Sequence, residues 1–181
     1  KLDPGGSERV LADDENRCIS VLHIREDGCV DLQAVQAYKP TTPCQRCEPG
    51  DVLLSKINPR IMRICVVPPA PWRLACSSEF AVLRPKQPDI TPWMLLLLLR
   101  SDVVQAQIRT LTSGTSSSHN RIKDRDLGSI EVPVPLKGND AWQKLVSAGG
   151  RLEKATLQQY AAMEAMLHCF SDVDSLLKAG R

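Results

Sequence analysis

Gly50-Asp51-Val52-Leu53-Leu54-Ser55-Lys56-Ile57-Asn58-Pro59 is the stretch on which the fold turns. Pro49-Gly50 opens it, and the run from Val52 to Ile57 reads as a strand. Two further strands follow. Ile61 to Val67 stops at Pro68-Pro69-Ala70-Pro71, and Phe80 to Leu83 is ended by Pro85 and Pro88, since proline cannot extend a ladder. Upstream, Cys18 to Ile24 reads as a strand, and Glu26-Asp27-Gly28 turns the chain into Cys29–Leu32, because Asp-Gly accepts positive φ cheaply. Residues 39–49 read as a loop and residues 1–16 as an acidic lead-in.

Downstream the elements become helical. Thr91-Pro92 supplies an N-cap and a first-turn proline, and the helix is expected to run through Trp93–Leu99 to about Leu111. Residues 112–121 are a polar loop, Ile122–Leu127 a short helix or turn, and Gly128–Pro135 an edge strand. From Asp140 to Lys178 one long helix is predicted, because Leu145, Ala148, Leu152, Ala155, Gln159, Ala162, Met166, Cys169, Val173 and Leu176 step by three and four. Only Gln159 in that seam is polar, which is a coiled-coil type of pattern. Packing on its own domain is the plainer alternative; the helix's length favours a partner. Gly149-Gly150 marks a bend or a close backbone approach. The expected class is α+β, with a lead-in over 1–16, a mixed globule over 17–138 and a long helix over 139–181.

The totals narrow the options. A chain of 181 residues can bury one real core. It opens on Lys1, which suits a piece of a longer chain, and its polar, acidic start does not read as a signal peptide. The apolar run Trp93–Leu99 is far too short to span a bilayer. Seven cysteines, an odd number in a domain needing no staples, fit reduced thiols in the cytoplasm. Net charge is +2 but uneven: −4 over residues 1–55, +6 over 56–126 and zero over 127–181. The basic excess suits phosphates or is a spread of solvated charges.

Chemistry-bearing motifs are sparse. Cys44-Gln45-Arg46-Cys47 has the spacing of half a zinc knuckle, but a site needs four ligands, and Cys18, His23 and Cys29 would have to be recruited. Incidental thiols are the default, and no metal is expected. His23, His119 and His168 are scattered. Gly114 lacks the second glycine and lysine of a phosphate loop. Asn58-Pro59 runs into Arg60 rather than a second proline and an aromatic, so the clamp for a flipped adenine is missing, as is a Gly-rich cofactor loop. The sequence points away from catalysis by this chain. The polar loop Leu111–Ile122 is the candidate: its Ser, Thr and Asn side chains and Arg121 can donate to phosphates or read base edges. The alternative is an ordinary capped loop with Arg121 in a structural ion pair.

Taken in order, Gly50–Asn58, Ser78–Pro85, Leu98–Asp102, Gly114–Ile122 and Val132–Pro135 resemble the target-recognition domain of type I restriction–modification specificity subunits. The resemblance covers roughly residues 18–178. It implies a mixed α/β target-recognition globule followed by a long coiled-coil-type helix. It also implies sequence-specific recognition of double-stranded DNA without catalysis. Lys56, Arg60 and Lys123 would anchor phosphates and Asn58 would also contact the DNA, with Thr115, Ser116, Ser117, His119, Asn120 and Arg121 reaching the major groove. Leu145, Leu152, Ala155, Ala162, Met166, Val173 and Leu176 would face a second helix. The implied partners are a methyltransferase subunit, a restriction/translocase subunit and a second copy forming a homodimer through the helix. No cofactor is expected on this chain itself; S-adenosylmethionine belongs to the partner methyltransferase, which would flip and methylate an adenine.

Family members usually carry two such units, whose helices pair antiparallel, whereas this chain has one. The Gln-rich stretch that often follows the Val-Pro exit is here Asp140-Ala141-Trp142-Gln143-Lys144. Two other readings stand beside this one: the C-terminal specificity domain of a fused methyltransferase or restriction enzyme, and a coiled-coil interaction module that does not touch DNA.

Overall fold

Three layers follow from the alternation of side chains along three short strands that are apolar except for Ser55. The structure is a computed structural model. It describes residues 4–5, 8–13, 15–59, 61–112 and 120–179, without the side chains of 4, 5, 174, 176, 177 and 179. Strand β5 (Val52–Ser55) pairs antiparallel with β6 (Ile64–Val66) and with β8 (Phe80–Leu83), and β1 (Pro4–Gly5) adds to the outer edge of β8. Val52, Leu54, Ile64, Val66, Ala81 and Leu83 face one core, and Leu53, Cys65, Val67, Phe80 and Val82 face another. A sheet buried on both faces needs such uninterrupted apolar runs.

The first core is roofed by α2 (Pro92–Leu99), α3 (Asp102–Leu111), the short α4 (Asp124–Leu127), which adds Leu127, and the start of α5 (Asp140–Ala179). Thr91 caps α2, its Oγ1 accepting the Met94 N–H at 3.2 Å, and Pro92 occupies the first turn as expected. The second core lies against a second sheet, ordered β2-β4-β7-β3. Its strands are β2 (Arg9–Val10), β3 (Asn16–Ile19), β4 (Cys44–Arg46) and β7 (Arg73–Cys76), and β3 and β7 run parallel. Helix α1 (Leu32–Ala37), capped by Asp31, inserts Val35 beneath it.

The structure corrects several expectations. The strand predicted for 18–24 ends at Ile19, where Ser20 caps a 3-10 turn over Val21–His23. The lead-in is tied down by β1 and β2, and β4 arises inside the predicted loop 39–49. The single helix 92–111 breaks at Ser101, whose Oγ donates to Leu98 O at 2.6 Å while capping Val104 N–H. Gly128–Pro135 is not a strand apart from an extended look to its sequence. A side chain substitutes for a neighbouring strand there: Gln107 Nε2 donates to Glu131 O, and Glu131 N–H donates to Gln107 Oε1, both at 2.8 Å. The Asp27-Gly28 turn is as predicted, with Gly28 at φ 86° and an Ile24–Val30 bridge.

The expectation of reduced thiols is wrong for one pair. Cys18 of β3 and Cys44 of β4 form a disulfide across 26 residues and pack with Ala75 of β7, the strand between them in the second sheet. Cys47 of the Cys-x-x-Cys pair falls in the second core instead. There the neighbouring Cys76 thiol, together with burial, pushes its thiol above the ordinary range.

Helix α5 spans 40 residues, on the order of 60 Å. Asn139 Oδ1 caps it through the Trp142 N–H at 2.8 Å. Gly149 is the close approach foreseen: a Cβ there would lie 2.9 Å from Met94 Cγ and 3.4 Å from Met94 N, whereas one at Gly150 meets nothing within 4 Å. Gly149→Leu is therefore expected to lose about 2 kcal/mol in urea unfolding through overpacking. Gly150→Ala should gain up to about 1 kcal/mol from helix propensity; equal effects at the two positions would contradict the close contact. No helix among the described residues is long and apolar enough to cross a membrane.

Candidate nucleic-acid interface

Two of the quoted blocks meet at one edge. Beyond the end of β5 the chain stays extended and pairs antiparallel with the segment around Arg121. Asn58 N–H donates to Asn120 O at 2.9 Å, Ile122 N–H to Lys56 O at 2.8 Å, and Ile57 bridges Arg121. Lys56 N–H donates to Glu79 O at 2.8 Å, which ties the turn before β8 into the same edge. Ser55 Oγ donates to Ile57 O at 2.9 Å and holds the strand's exit. The left-handed φ of Asn58, 44°, turns the chain; asparagine tolerates that region better than other side-chain-bearing residues. Its Oδ1 is buried without a hydrogen-bond partner among the described residues.

Along 120–123 burial alternates. Asn120 and Ile122 are buried, while Arg121 and Lys123 are exposed, the period of an extended chain with one face in solvent. Of the predicted DNA-facing residues, the structure thus brings together Lys56, Asn58, Asn120, Arg121 and Lys123. Arg60, Thr115, Ser116, Ser117 and His119 lie outside the described residues.

Two carboxylates that sequence reasoning missed sit beside these cations. Lys56 Nζ is 2.6 Å from Asp124 Oδ1, and the Lys56 side chain is only 13% exposed. Lys56 is therefore a bracing residue rather than the open phosphate anchor expected of it. Arg121 Nη2 is 3.8 Å from Glu79 Oε1 with both side chains partly in water, a distance and exposure at which an ion pair is worth little. Arg121 has the structural pairing that was one of its two readings, yet remains presented to solvent. Asn120 is 9% exposed and acts through its backbone carbonyl. No local signal identifies Glu79 or Asp124, because their roles depend on tertiary neighbours.

The long helix divides its predicted seam. Leu145 and Leu152 pack against the first core, whereas Ala155, Ala162, Met166 and Val173 are exposed; the side chain of Leu176 is outside the description. Gln159, the polar exception, accepts from Cys29 Sγ at 3.3 Å and donates to Asp27 Oδ2 at 3.3 Å. Beyond it, Met166, Leu167, Phe170 and Val173 are 58, 43, 64 and 53% exposed. The expectation of a partner-facing seam fails at Leu145 and Leu152, which are used by the chain's own globule; Ala155, Ala162, Met166 and Val173 are left uncovered.

No family model and no curated protein sequence matches the chain. Solved structures do. An HsdS subunit from Thermoanaerobacter tengcongensis is similar with a TM-score of 0.55 and 19% identity, over 88% of this chain and 40% of that one. A chain from a structure titled for complex assembly and conformational transition of the type I R-M system is similar with a TM-score of 0.56 and 20% identity, over 82% and 38%. The chain spans about two fifths of the length of these structures. Its α+β globule with one long helix has the fold of the corresponding part of a type I restriction–modification HsdS specificity subunit.

Proposed function

We propose that the chain is a sequence-recognition unit of a type I restriction–modification system, bound to double-stranded DNA through the edge that presents Arg121 and Lys123. The observation that carries this reading is the HsdS-like fold over 88% of the chain. The paired edge supports it. A backbone fixed at both sides by Lys56 and Asn58 presents two outward cations at alternate positions, which is suited to phosphate anchoring beside the segment 113–119. The chain supplies recognition only. A separate methyltransferase subunit carries S-adenosylmethionine and modifies adenine, and a restriction/translocase subunit cleaves.

The exposed end of α5 favours a second helix over a purely self-packed one. Residues 158–177 carry three acidic and no Lys or Arg side chains, whereas 140–157 carry three basic and two acidic. Antiparallel pairing with a second copy, or with a second unit of a longer chain, therefore sets opposite charges together.

The test is selection from a random duplex pool at two salt concentrations, with and without a methyltransferase subunit. A selected motif with salt-dependent affinity is expected; no motif, even with the partner present, would sink the proposal. Arg121→Ala and Lys123→Ala should each lower the slope of log K against log salt by about 1. An unchanged slope in both variants would remove this edge from the interface.

A further inference from the structure

Helix α5 meets the globule at two separated places of different chemistry. The first is apolar: Trp142, Leu145 and Leu152 pack on the first core, and Gly149 lies against Met94. The second is polar and lies two to three turns further on, at the turn Arg25–Val30. There Val30 N–H donates to the Tyr160 hydroxyl at 2.7 Å, Cys29 Sγ donates to Gln159 Oε1 at 3.3 Å, and Gln159 Nε2 donates to Asp27 Oδ2 at 3.3 Å. Arg25 Nη1 is 3.9 Å from Met163 Sδ.

The turn itself is braced. Asp27 accepts from Arg25 Nη2 at 2.9 Å and from Cys29 N–H at 2.8 Å. Arg100 donates to Glu26 O at 3.4 Å, and its Nη1 lies 3.2 Å from where a Cβ on Gly28 would sit. Burial raises the Tyr160 hydroxyl above its usual range, so it stays a neutral partner for the Val30 amide.

Gly149-Gly150 lies within the apolar contact, with Leu152 packed on the first core just beyond it. Consecutive glycines make the weakest turn of a helix, and kinks concentrate at such sequences. From Gly150 to Val173 is about 35 Å at 1.5 Å per residue, so a kink of about 20° there displaces Val173 by about 12 Å. Hydrogen bonds with fixed directions control such an angle better than apolar contact, which is non-directional.

We infer that the Asp27–Val30 turn is a latch on α5. Gln159 and Tyr160 are its positioning residues, and it sets the direction in which the exposed end of the helix leaves the globule, with Gly149-Gly150 as the pivot when the latch opens. Under the proposed function this direction fixes where a second helix, and the DNA-facing edge carried with it, stands relative to this globule. The latch is a property of the chain and does not depend on that reading.

Cys29 is a built-in reporter, because it is 3% exposed beneath Gln159. In the full chain, alkylation of Cys29 followed by mass spectrometry should accelerate about fivefold in Tyr160→Phe, the factor given by one lost hydrogen bond of about 1 kcal/mol. The buried thiols of Cys47, Cys65 and Cys76 should keep their wild-type rates. A Cys29 rate unchanged in Tyr160→Phe overturns the latch; so does a rise shared equally by all four thiols, which is global unfolding.

A distance measurement tests the pivot. Spin labels on the exposed Cys169 and on Leu22→Cys, a position 77% exposed, are diluted with unlabelled protein so that only intramolecular distances count. One narrow distance is expected for the wild-type background and a broadened one with Tyr160→Phe and Gln159→Ala. Adding Gly150→Ala should narrow it again. A distribution that the latch substitutions leave unchanged, or that Gly150→Ala does not narrow, overturns the proposal. Neither readout uses DNA, so failure of the latch and failure of the recognition reading are separate results.

Discussion

Arg84→Met should lower the unfolding free energy by about 3 kcal/mol, the low end of the cost of leaving a buried carboxylate without its cation. Asp51 is 4% exposed. Its oxygens accept from Arg84 Nε at 2.5 Å and Nη2 at 2.9 Å, and from Glu48 N–H at 2.9 Å. The bidentate geometry and the extra amide are what make such a pair stabilising rather than neutral. The Asp51 carboxylate holds the Arg84 guanidinium charged, raising its pKa despite partial burial. The outer half of Arg84 is in water, with 48% of the side chain exposed, and this keeps the expected loss from reaching the full buried-pair cost.

The pair joins the start of β5 to the end of β8, whose register sets Val52 opposite Leu83. Its loss should therefore loosen the sheet on which the paired edge depends. Arg84→Lys, which cannot present two parallel donors, should recover part of the loss. Asp51→Ala combined with Arg84→Met should be more stable than Arg84→Met alone, since no buried charge is stranded. Urea unfolding decides it: an Arg84→Met loss below about 1 kcal/mol would mean that water replaces the guanidinium and the pair is not structural.

Reducing the Cys18–Cys44 bridge is expected to cost roughly 3–4 kcal/mol, from loop-closure entropy over its 26-residue separation. The strands it joins are short: β4 has three residues and β3 four, so neither holds its place by ladder hydrogen bonds alone. Gln45 of β4 donates to Ser77 O at 3.0 Å and Phe80 O at 2.7 Å, in the turn that carries Glu79. Loss of the bridge should therefore reach the neighbourhood of Arg121 as well as the second sheet. The check is urea unfolding with and without reductant, beside a Cys18→Ala/Cys44→Ala protein. Wild type should lose stability on reduction while the double variant does not respond. A double variant as stable as the oxidised protein would show that the bridge constrains nothing.

Much of the fold was legible because its signals are local. Pro49-Gly50, the proline run 68–71 and Pro85 delimit β5, β6 and β8. Thr91-Pro92 starts α2 through a cap whose donor and acceptor are three residues apart, and the three-four spacing from Leu145 onward requires only one continuous helix. The helix break at Ser101 was missed because an apolar run on both sides outweighs one capping hydroxyl. Strand β7 was missed for another reason: Arg73–Cys76 has no turn signature of its own, and its parallel partner β3 lies more than fifty residues earlier. Of the candidate site, residue types and approximate location were readable, but not which cations are free.

The sequence by itself determined the apolar strands, the capped α2, the extent of α5 and the concentration of basic residues around the paired edge, since each is written in neighbouring residues. Only tertiary structure decided that Asp124 takes Lys56, that Cys18 finds Cys44, that Gln107 stands in for a strand beside Glu131, and that Gln159 answers to Asp27. Those pairs are separated by 24 to 132 residues. Partners so far apart have no periodicity to mark them; they are chosen by which backbones the packed sheets bring within hydrogen-bonding distance.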